Sequence, residues 1–136
     1  MKKSGILNSD ISRVLSYMGH TDTLCIGDCG LPIPADTERI DLTVRFGSPS
    51  FMEVLSAIAE DMVFERVVLA EEIKTQNPAI LQQVQELLNR RNAKIEIKFV
   101  SHVQLKERTK GCKAVLRTGE TTPYANIILE SGCIFA

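Results

Sequence analysis

The chain has 136 residues, of which 44% are hydrophobic and 24% are charged, a composition typical of a globular protein. Domains usually run about 100–200 residues, so we expect one domain over residues 1–136. The 16 basic and 17 acidic side chains leave a net charge of −1. That balance argues against nucleic-acid binding, which needs clustered excess Lys and Arg, and gives no attraction to anionic membranes.

The amino terminus and the cysteines indicate the compartment. No apolar run approaches the roughly 18 residues that span a bilayer, and polar residues such as Asn8 interrupt any signal-peptide core. We therefore expect a cytoplasmic protein whose four cysteines stay free thiols. The alternative is a metal shared by Cys25 and Cys29. No second His or Cys pair has ligand spacing, so we expect no metal.

The first predicted element is a helix from Asp10 to Met18, with Ser9 as its N-cap and Gly19 as a left-handed C-cap. Its apolar residues recur at helical spacing. The apolar run Thr23–Ile26 then predicts a buried strand that ends in a glycine-rich loop.

Prolines and alternation define the next elements. The segment Leu31–Pro34 holds two prolines and predicts a rigid extended loop. Residues Arg39–Val44 alternate between apolar and polar, which predicts a strand. Ser48-Pro49 is interpreted as the N-cap and first residue of a helix that buries Phe51 to Met62 on one face.

The rest of the chain alternates strands with helices. The predicted strands are Phe64–Ala70, Ile95–Phe99, Ala114–Arg117 and Ala125–Leu129, and a turn over Gly119–Pro123 joins the last two. One predicted helix begins at Asn77-Pro78, and a second, short one spans Val103–Arg108. This order indicates an α/β class, a single-domain layered fold with a mixed central β-sheet flanked by helices.

Two histidines are the candidate acid–base groups. His20 follows the first helix beside Asp22, and His102 follows a strand end. A loop imidazole exchanges protons near neutral pH. The alternative for both is a capping or simply exposed histidine.

Three polar residues suit a hydroxylated ligand. Asp28 lies between glycines after a buried strand, where a carboxylate accepts hydroxyl hydrogens, although it could equally serve the turn. Tyr124 and Asn126, two apart on the predicted last strand, would point to one face, which could instead meet water. The residues alone therefore indicate a small neutral polar ligand and a histidine acid or base, without naming a reaction.

Several blocks of the sequence resemble the D-ribose pyranase family. They comprise Lys3–Asn8, Met18–Asp22, Gly27–Pro34, Arg117–Glu120 and Pro123–Leu129, and the stretch Asp41–Glu72 is similar in pattern. The resemblance implies an enzyme that interconverts the pyranose and furanose forms of D-ribose and serves ribose uptake. It implies no metal and no cofactor, because ring opening involves no redox or phosphate chemistry.

The resemblance also implies roles for single residues. His20 would be the catalytic proton donor, and D-ribose would be bound by Asp28, His102 and the segment Tyr124, Ala125 and Asn126. It further implies a homodecamer of two stacked pentamers with sites between neighbouring subunits. Two alternatives remain: a fucose mutarotase, and a non-catalytic sugar-binding partner of a transporter.

Overall fold

The computed structural model describes residues 1–91 and 94–135. Six strands, five α-helices and a 3₁₀ turn at Thr109–Gly111 are described there. The helices and strands are α1 Ser9–Tyr17, β1 Thr23–Gly27, β2 Glu38–Asp41, α2 Phe51–Asp61, β3 Phe64–Ala70, α3 Ile73–Gln76, α4 Pro78–Arg91, β4 Glu96–Val100, α5 His102–Arg108, β5 Ala114–Arg117 and β6 Ile127–Ser131.

The strands form one mixed sheet in the order β2-β5-β1-β6-β3-β4. Strand β6 pairs antiparallel with both β1 and β3, whereas the other pairs are parallel. Strands β1 to β5 therefore all run in one direction and β6 runs against them. We call the edge where β1 to β5 end the carboxyl edge, and the edge where they begin the amino edge.

The sheet is covered on both faces. One face packs Leu24 and Ile26 of β1 against the apolar sides of α1, α2 and α4, while Cys25 faces a smaller cluster that includes Leu105 of α5. Alternate residues of a strand point to opposite faces, so a central strand covered on both sides is apolar throughout. The predicted α/β layered fold with a mixed, helix-flanked sheet is confirmed.

The ends of α1 differ from the prediction. Asn8, not Ser9, is the N-cap, because its side chain accepts the backbone N–H of Ile11 at 3.0 Å. Met18 is the C-cap, and its φ of −70° needs no left-handed glycine. A positive φ occurs instead at Thr21.

The next helix and strand also begin or end elsewhere. Ser50 is the N-cap of α2, and its side chain accepts the N–H of Glu53, so the predicted start at Ser48-Pro49 is two residues early. Strand β2 covers Glu38–Asp41 and stops before the predicted Val44, because its partner β5 ends with the pair Asp41–Arg117. The short α3 was not predicted.

The last strand begins later than predicted. β6 starts at Ile127, so Tyr124, Ala125 and Asn126 precede it in a loop. Tyr124 has a φ of 58°, which no strand residue adopts. The expectation that Tyr124 and Asn126 share one strand face is therefore wrong.

None of the helices within residues 1–91 and 94–135 combines the length and hydropathy that a bilayer span requires.

Candidate active site

The carboxyl edge of the sheet gathers most of the predicted site residues. Asp28 follows β1, His102 follows β4, and Asn126 precedes β6, whose start lies at the same edge because β6 runs antiparallel. Ligands of open α/β sheets bind outside the carboxyl ends of the strands. The topology thus brings together residues nearly 100 positions apart in the chain.

Asp28 and Asn126 form a reciprocal pair. Oδ1 of Asn126 accepts the backbone N–H of Asp28 at 2.8 Å, and its Nδ2 donates to Oδ2 of Asp28 at 3.1 Å. Asn126 is fully buried, whereas Asp28 is partly exposed. The second carboxylate oxygen of Asp28 accepts the N–H of Gly30. The pair holds a carboxylate in one orientation, with lone pairs left for ligand hydroxyls.

Gly27 permits this close packing. A Cβ there would lie 2.7 Å from Cδ2 of Leu31 and 3.2 Å from Oδ1 of Asn126. Any larger residue would push the Asp28 loop away from Asn126. The glycine is therefore required by contact distance.

His102 and Tyr124 form the second half of this group. Their rings meet edge to face, with centroids 5.1 Å apart and planes at 88°. Nδ1 of His102 is buried and has no hydrogen-bond partner among residues 1–91 and 94–135. A buried polar atom without a partner lowers the free energy of unfolding by about 1–3 kcal/mol. Such an atom is therefore a candidate for binding a ligand.

Glu72 anchors His102. Both oxygens of its carboxylate accept the backbone N–H of His102, at 3.1 and 3.0 Å. Glu72 lies just past the end of β3, so it links the carboxyl ends of β3 and β4. Glu72 was not predicted from the sequence, although acidic residues directly after a buried strand were a usable signal.

Asn77 fixes the loop that carries Tyr124. This buried amide donates to Oγ1 of Thr122 at 2.9 Å and to the carbonyl of Pro123 at 2.8 Å. Glu120 adds a second anchor, because its carboxylate accepts the N–H of Phe51 and both donors of Thr122. The left-handed backbone of Tyr124 is thus held from outside the loop.

Ala125 is fully buried. With a methyl side chain it can offer a ligand only backbone groups.

His20 lies at the opposite edge of the sheet. His20 precedes β1, whereas Asp28 follows β1, and the five residues of this strand span about 13 Å from its first to its last Cα. The backbone N–H of Thr21 donates to the carbonyl of Ser131, the last residue of β6. The His20 side chain is 51% exposed, and its Nε2 lies 2.8 Å from Oε1 of Glu65. One copy of the chain therefore does not bring His20 to Asp28.

Metal-binding potential is low in the described part of the chain. Residues 1–91 and 94–135 contain no group of three or more His, Cys, Asp or Glu side chains placed to hold a metal ion. The carboxyl-edge group instead offers a carboxylate, a phenol and an imidazole. These groups suit hydroxyls of a small polar ligand.

Comparison with known proteins identifies the family. A model of the RbsD / FucU transport protein family matches residues 1–134. The chain belongs to the RbsD/FucU family. The resemblance seen in the sequence is thereby confirmed.

Relatives within the RbsD/FucU family are similar over their whole length. A D-ribose pyranase of Geobacillus thermodenitrificans is 54% identical over 136 residues, all of both chains. One of Bacillus cytotoxicus is 52% identical over 135 residues, which are 99% of this chain and 100% of the relative.

Two solved structures show the same architecture. RbsD of Bacillus subtilis, complexed with D-ribose, matches with a TM-score of 0.94 and 44% identity over 99% of this chain and 100% of that one. A fucose mutarotase of Streptococcus pneumoniae, in complex with L-fucose, matches with a TM-score of 0.80 and 23% identity over 95% of each chain. The second likeness concerns the fold alone.

Proposed function

We propose that this chain is a D-ribose pyranase, which interconverts the pyranose and furanose forms of D-ribose. The observation that carries the proposal is the identity of 52–54% with D-ribose pyranases over essentially the whole chain. The TM-score of 0.94 to the D-ribose complex of RbsD supports it. Fucose mutarotase, the sequence alternative, is matched by structure at only 23% identity.

The reaction needs only proton transfers. A base removes the proton of the anomeric hydroxyl, the C1–O5 bond breaks, and the ring oxygen takes up a proton. A different hydroxyl then attacks the aldehyde carbon, its proton passes to the aldehyde oxygen, and the other ring closes. A positioned histidine that takes and returns one proton contributes typically 10²–10⁴-fold to such a step.

The proposed roles are those that the family resemblance implies, and they agree with the chemistry of the side chains. His20 is the catalytic acid and base. Asp28, fixed by Asn126, accepts hydroxyl hydrogens, while His102 and Tyr124 supply further donors and acceptors. Ala125 is buried between Tyr124 and Asn126 and offers the sugar only its backbone groups.

We propose that each site is shared by two copies of the chain. His20 lies at the amino edge and the Asp28 group at the carboxyl edge, one strand length apart. A sugar bound at Asp28 can meet a His20 imidazole only if the amino edge of a second copy faces it. Such a contact joins two different surfaces, and repeating it closes a ring when the rotation between successive copies leads back to the first copy.

Exposed apolar side chains at both edges support this head-to-tail contact. Val44 and Phe46 are 82% and 81% exposed in the loop after β2, near the carboxyl edge. Ile134 and Phe135 are 85% and 83% exposed after β6, at the amino edge. Large apolar side chains in clusters are typical of interaction sites. The decamer of two stacked pentamers expected from the family remains part of this proposal.

The proposed setting is ribose uptake in the cytoplasm. Burial raises the pKa of the Cys25 and Cys112 thiols, which keeps them protonated and apolar in a reducing compartment. The family match over residues 1–134 supports a single D-ribose pyranase-like domain.

The proposal is tested by NMR saturation transfer between ribose pyranose and furanose signals, with and without purified protein. We expect faster exchange for D-ribose than for L-fucose, and a loss of about 10²–10⁴-fold in His20→Ala with ribose binding largely kept. Binding without faster exchange would instead identify a sugar-binding partner of a transporter. Faster exchange of fucose than ribose would identify a fucose mutarotase.

A further inference from the structure

The residue that faces His20 comes from a break in the strand pairing. In the β3–β6 ladder Phe64 pairs with Ser131 and Arg66 with Glu130, so Glu65 is an extra residue without a partner. This arrangement is a β-bulge, a device that often re-aims one side chain beside an active site.

The bulge explains why Glu65 leaves the core face. Val67 and Leu69 point into the larger core cluster, so strict alternation would place Glu65 in that cluster and Phe64 on the opposite face of the sheet. Instead Phe64 joins that cluster and is 6% exposed, while the Glu65 side chain is 50% exposed at the amino edge. One inserted residue thus buries the aromatic ring and frees the carboxylate.

Neither neighbour of Glu65 competes with His20 for its carboxylate. Gly132 has no side chain, and even a Cβ there would make only an ordinary contact, 3.5 Å from Oε2 of Glu65. Arg66, the next residue, pairs with Glu96 and Glu130 instead.

Hydrogen bonds of the neighbouring residues hold the backbone around His20. The N–H of Gly19 donates to the Asp22 side chain at 2.9 Å, and the N–H of Thr21 donates to the carbonyl of Ser131 at 2.9 Å. Ser131 also donates its N–H to the carbonyl of Asp22. The His20 turn and the Glu65 bulge are therefore both attached to the end of β6, which fixes their separation.

We propose that Glu65 is the positioning residue of His20 and that it makes Nδ1 the nitrogen that exchanges the proton with the sugar. This inference rests on the proposed function of His20. An ionised carboxylate only accepts hydrogen bonds, so Nε2, at 2.8 Å from Oε1 of Glu65, carries a proton. Neutral His20 then has its lone pair on Nδ1.

The same bond persists through the reaction. Nδ1 removes the proton of the anomeric hydroxyl, and the imidazolium that forms is stabilised by the carboxylate of Glu65. Nδ1–H then gives that proton to the ring oxygen as the C1–O5 bond breaks, so no other proton donor is consumed. A carboxylate that fixes the tautomer of a catalytic histidine in this way acts through orientation and charge.

The test compares Glu65→Gln with wild type and with Glu96→Gln. Glu96 is a matched control at the same edge, 59% exposed and also ion-paired. Because the glutamine amide can offer either an oxygen or an N–H to His20, the tautomer is no longer fixed. We expect ribose exchange at saturating sugar to fall about 10- to 100-fold in Glu65→Gln, with ribose affinity and oligomer mass unchanged. Glu96→Gln should match wild type.

The tautomer provides a readout that a merely structural role would not move. The chain has only two histidines, so ¹⁵N-histidine labelling gives signals that His20→Ala assigns. Magic-angle-spinning NMR of sedimented wild type should show His20 protonated at Nε2, and Glu65→Gln should show a mixture. If Glu65→Gln is poorly folded, Glu65→Asp keeps the charge with a shorter reach and should give the same loss in exchange.

The role of Glu65 and the proposed function are overturned by different results. Wild-type exchange that survives in Glu65→Gln and Glu65→Asp, or His20 protonated at Nδ1 in wild type, would overturn the role of Glu65 and leave the pyranase intact. No acceleration by wild type, or full activity of His20→Ala, would overturn the proposed function itself.

Discussion

Replacing Asn126 by aspartate would turn its hydrogen bond with Asp28 into a pair of like charges. Nδ2 of Asn126 lies 3.1 Å from Oδ2 of Asp28. Two carboxylates at that separation repel by about 5 kcal/mol at an effective dielectric of about 20. The pair avoids part of this repulsion by binding one proton. Keeping that proton costs about 1.4 kcal/mol of folding free energy for each pH unit above the unfolded aspartate pKa of about 3.9. The penalty at pH 7 is thus at most about 4 kcal/mol, and about 2–4 kcal/mol with partial solvent screening.

The sign of the pH dependence follows from the bound proton. Below about pH 3.9 the added carboxyl is protonated in both the folded and the unfolded chain, so this penalty is absent. As the pH rises, the folded Asn126→Asp variant keeps a proton that the unfolded chain releases. Its free energy of unfolding therefore falls relative to wild type by up to about 1.4 kcal/mol per pH unit.

The assay is urea unfolding followed by circular dichroism at pH 4.5 and pH 7, at one chain concentration because assembly adds to stability. Asn126→Leu is the control of similar volume. It leaves the N–H of Asp28 unpaired and should cost about 1–3 kcal/mol at both pH values. An equal loss at both pH values for Asn126→Asp would mean that repulsion between the two carboxylates is not its cause.

Three further substitutions test the loop before β6, the close packing at Gly119 and the carboxylate of Asp41. Asn77→Ala removes two hydrogen bonds to the loop before β6 and should cost about 1–3 kcal/mol and weaken ribose binding in calorimetry; unchanged affinity would mean that the loop is held by other contacts. Gly119→Ala would place a Cβ 2.5 Å from the backbone N of Ser48, so we expect a loss of at least about 3 kcal/mol in thermal unfolding, and a wild-type midpoint would argue against this close contact. The hydrogen bond from the N–H of Thr43 lowers the pKa of the Asp41 carboxyl, so the ionised carboxylate stabilises the fold above the unfolded pKa, and this stabilisation is lost as the pH falls. Asp41→Asn should therefore be less stable than wild type at pH 7 and match it in acid unfolding near pH 2.

Periodicity predicted most of the architecture because burial controls it. Helices α2 and α4 carry apolar residues at helical spacing, and β3 and β4 lie within one residue of their predicted bounds. The errors occur where a local pattern competes with a contact distant in sequence. Tyr124 has a left-handed backbone in a loop that Asn77 holds. The amide of Asn77 donates to the carbonyl of Pro123, 46 residues later in the chain, and no local sequence pattern indicates such a bond.

The candidate site was predictable residue by residue but not as an arrangement. The sequence indicated His20, Asp28 and His102 from their chemistry and position. It also held a signal that was not used: His20 precedes the strand that Asp28 follows, so the two lie at opposite edges of the sheet. Glu65 carried no such signal, because its bulge exists only through the pairing of β3 with β6.

In the proposed ribose site, one copy of the chain supplies His20 and its neighbour supplies Asp28. Two inactive variants, His20→Ala and Asp28→Ala, can be co-assembled and their ribose exchange measured by saturation transfer. Random assembly in a head-to-tail ring leaves about one contact in four with both wild-type residues, so about a quarter of wild-type activity should return. Mixed assemblies as inactive as either variant alone would show that the two residues act within one chain and would contradict the proposed shared site.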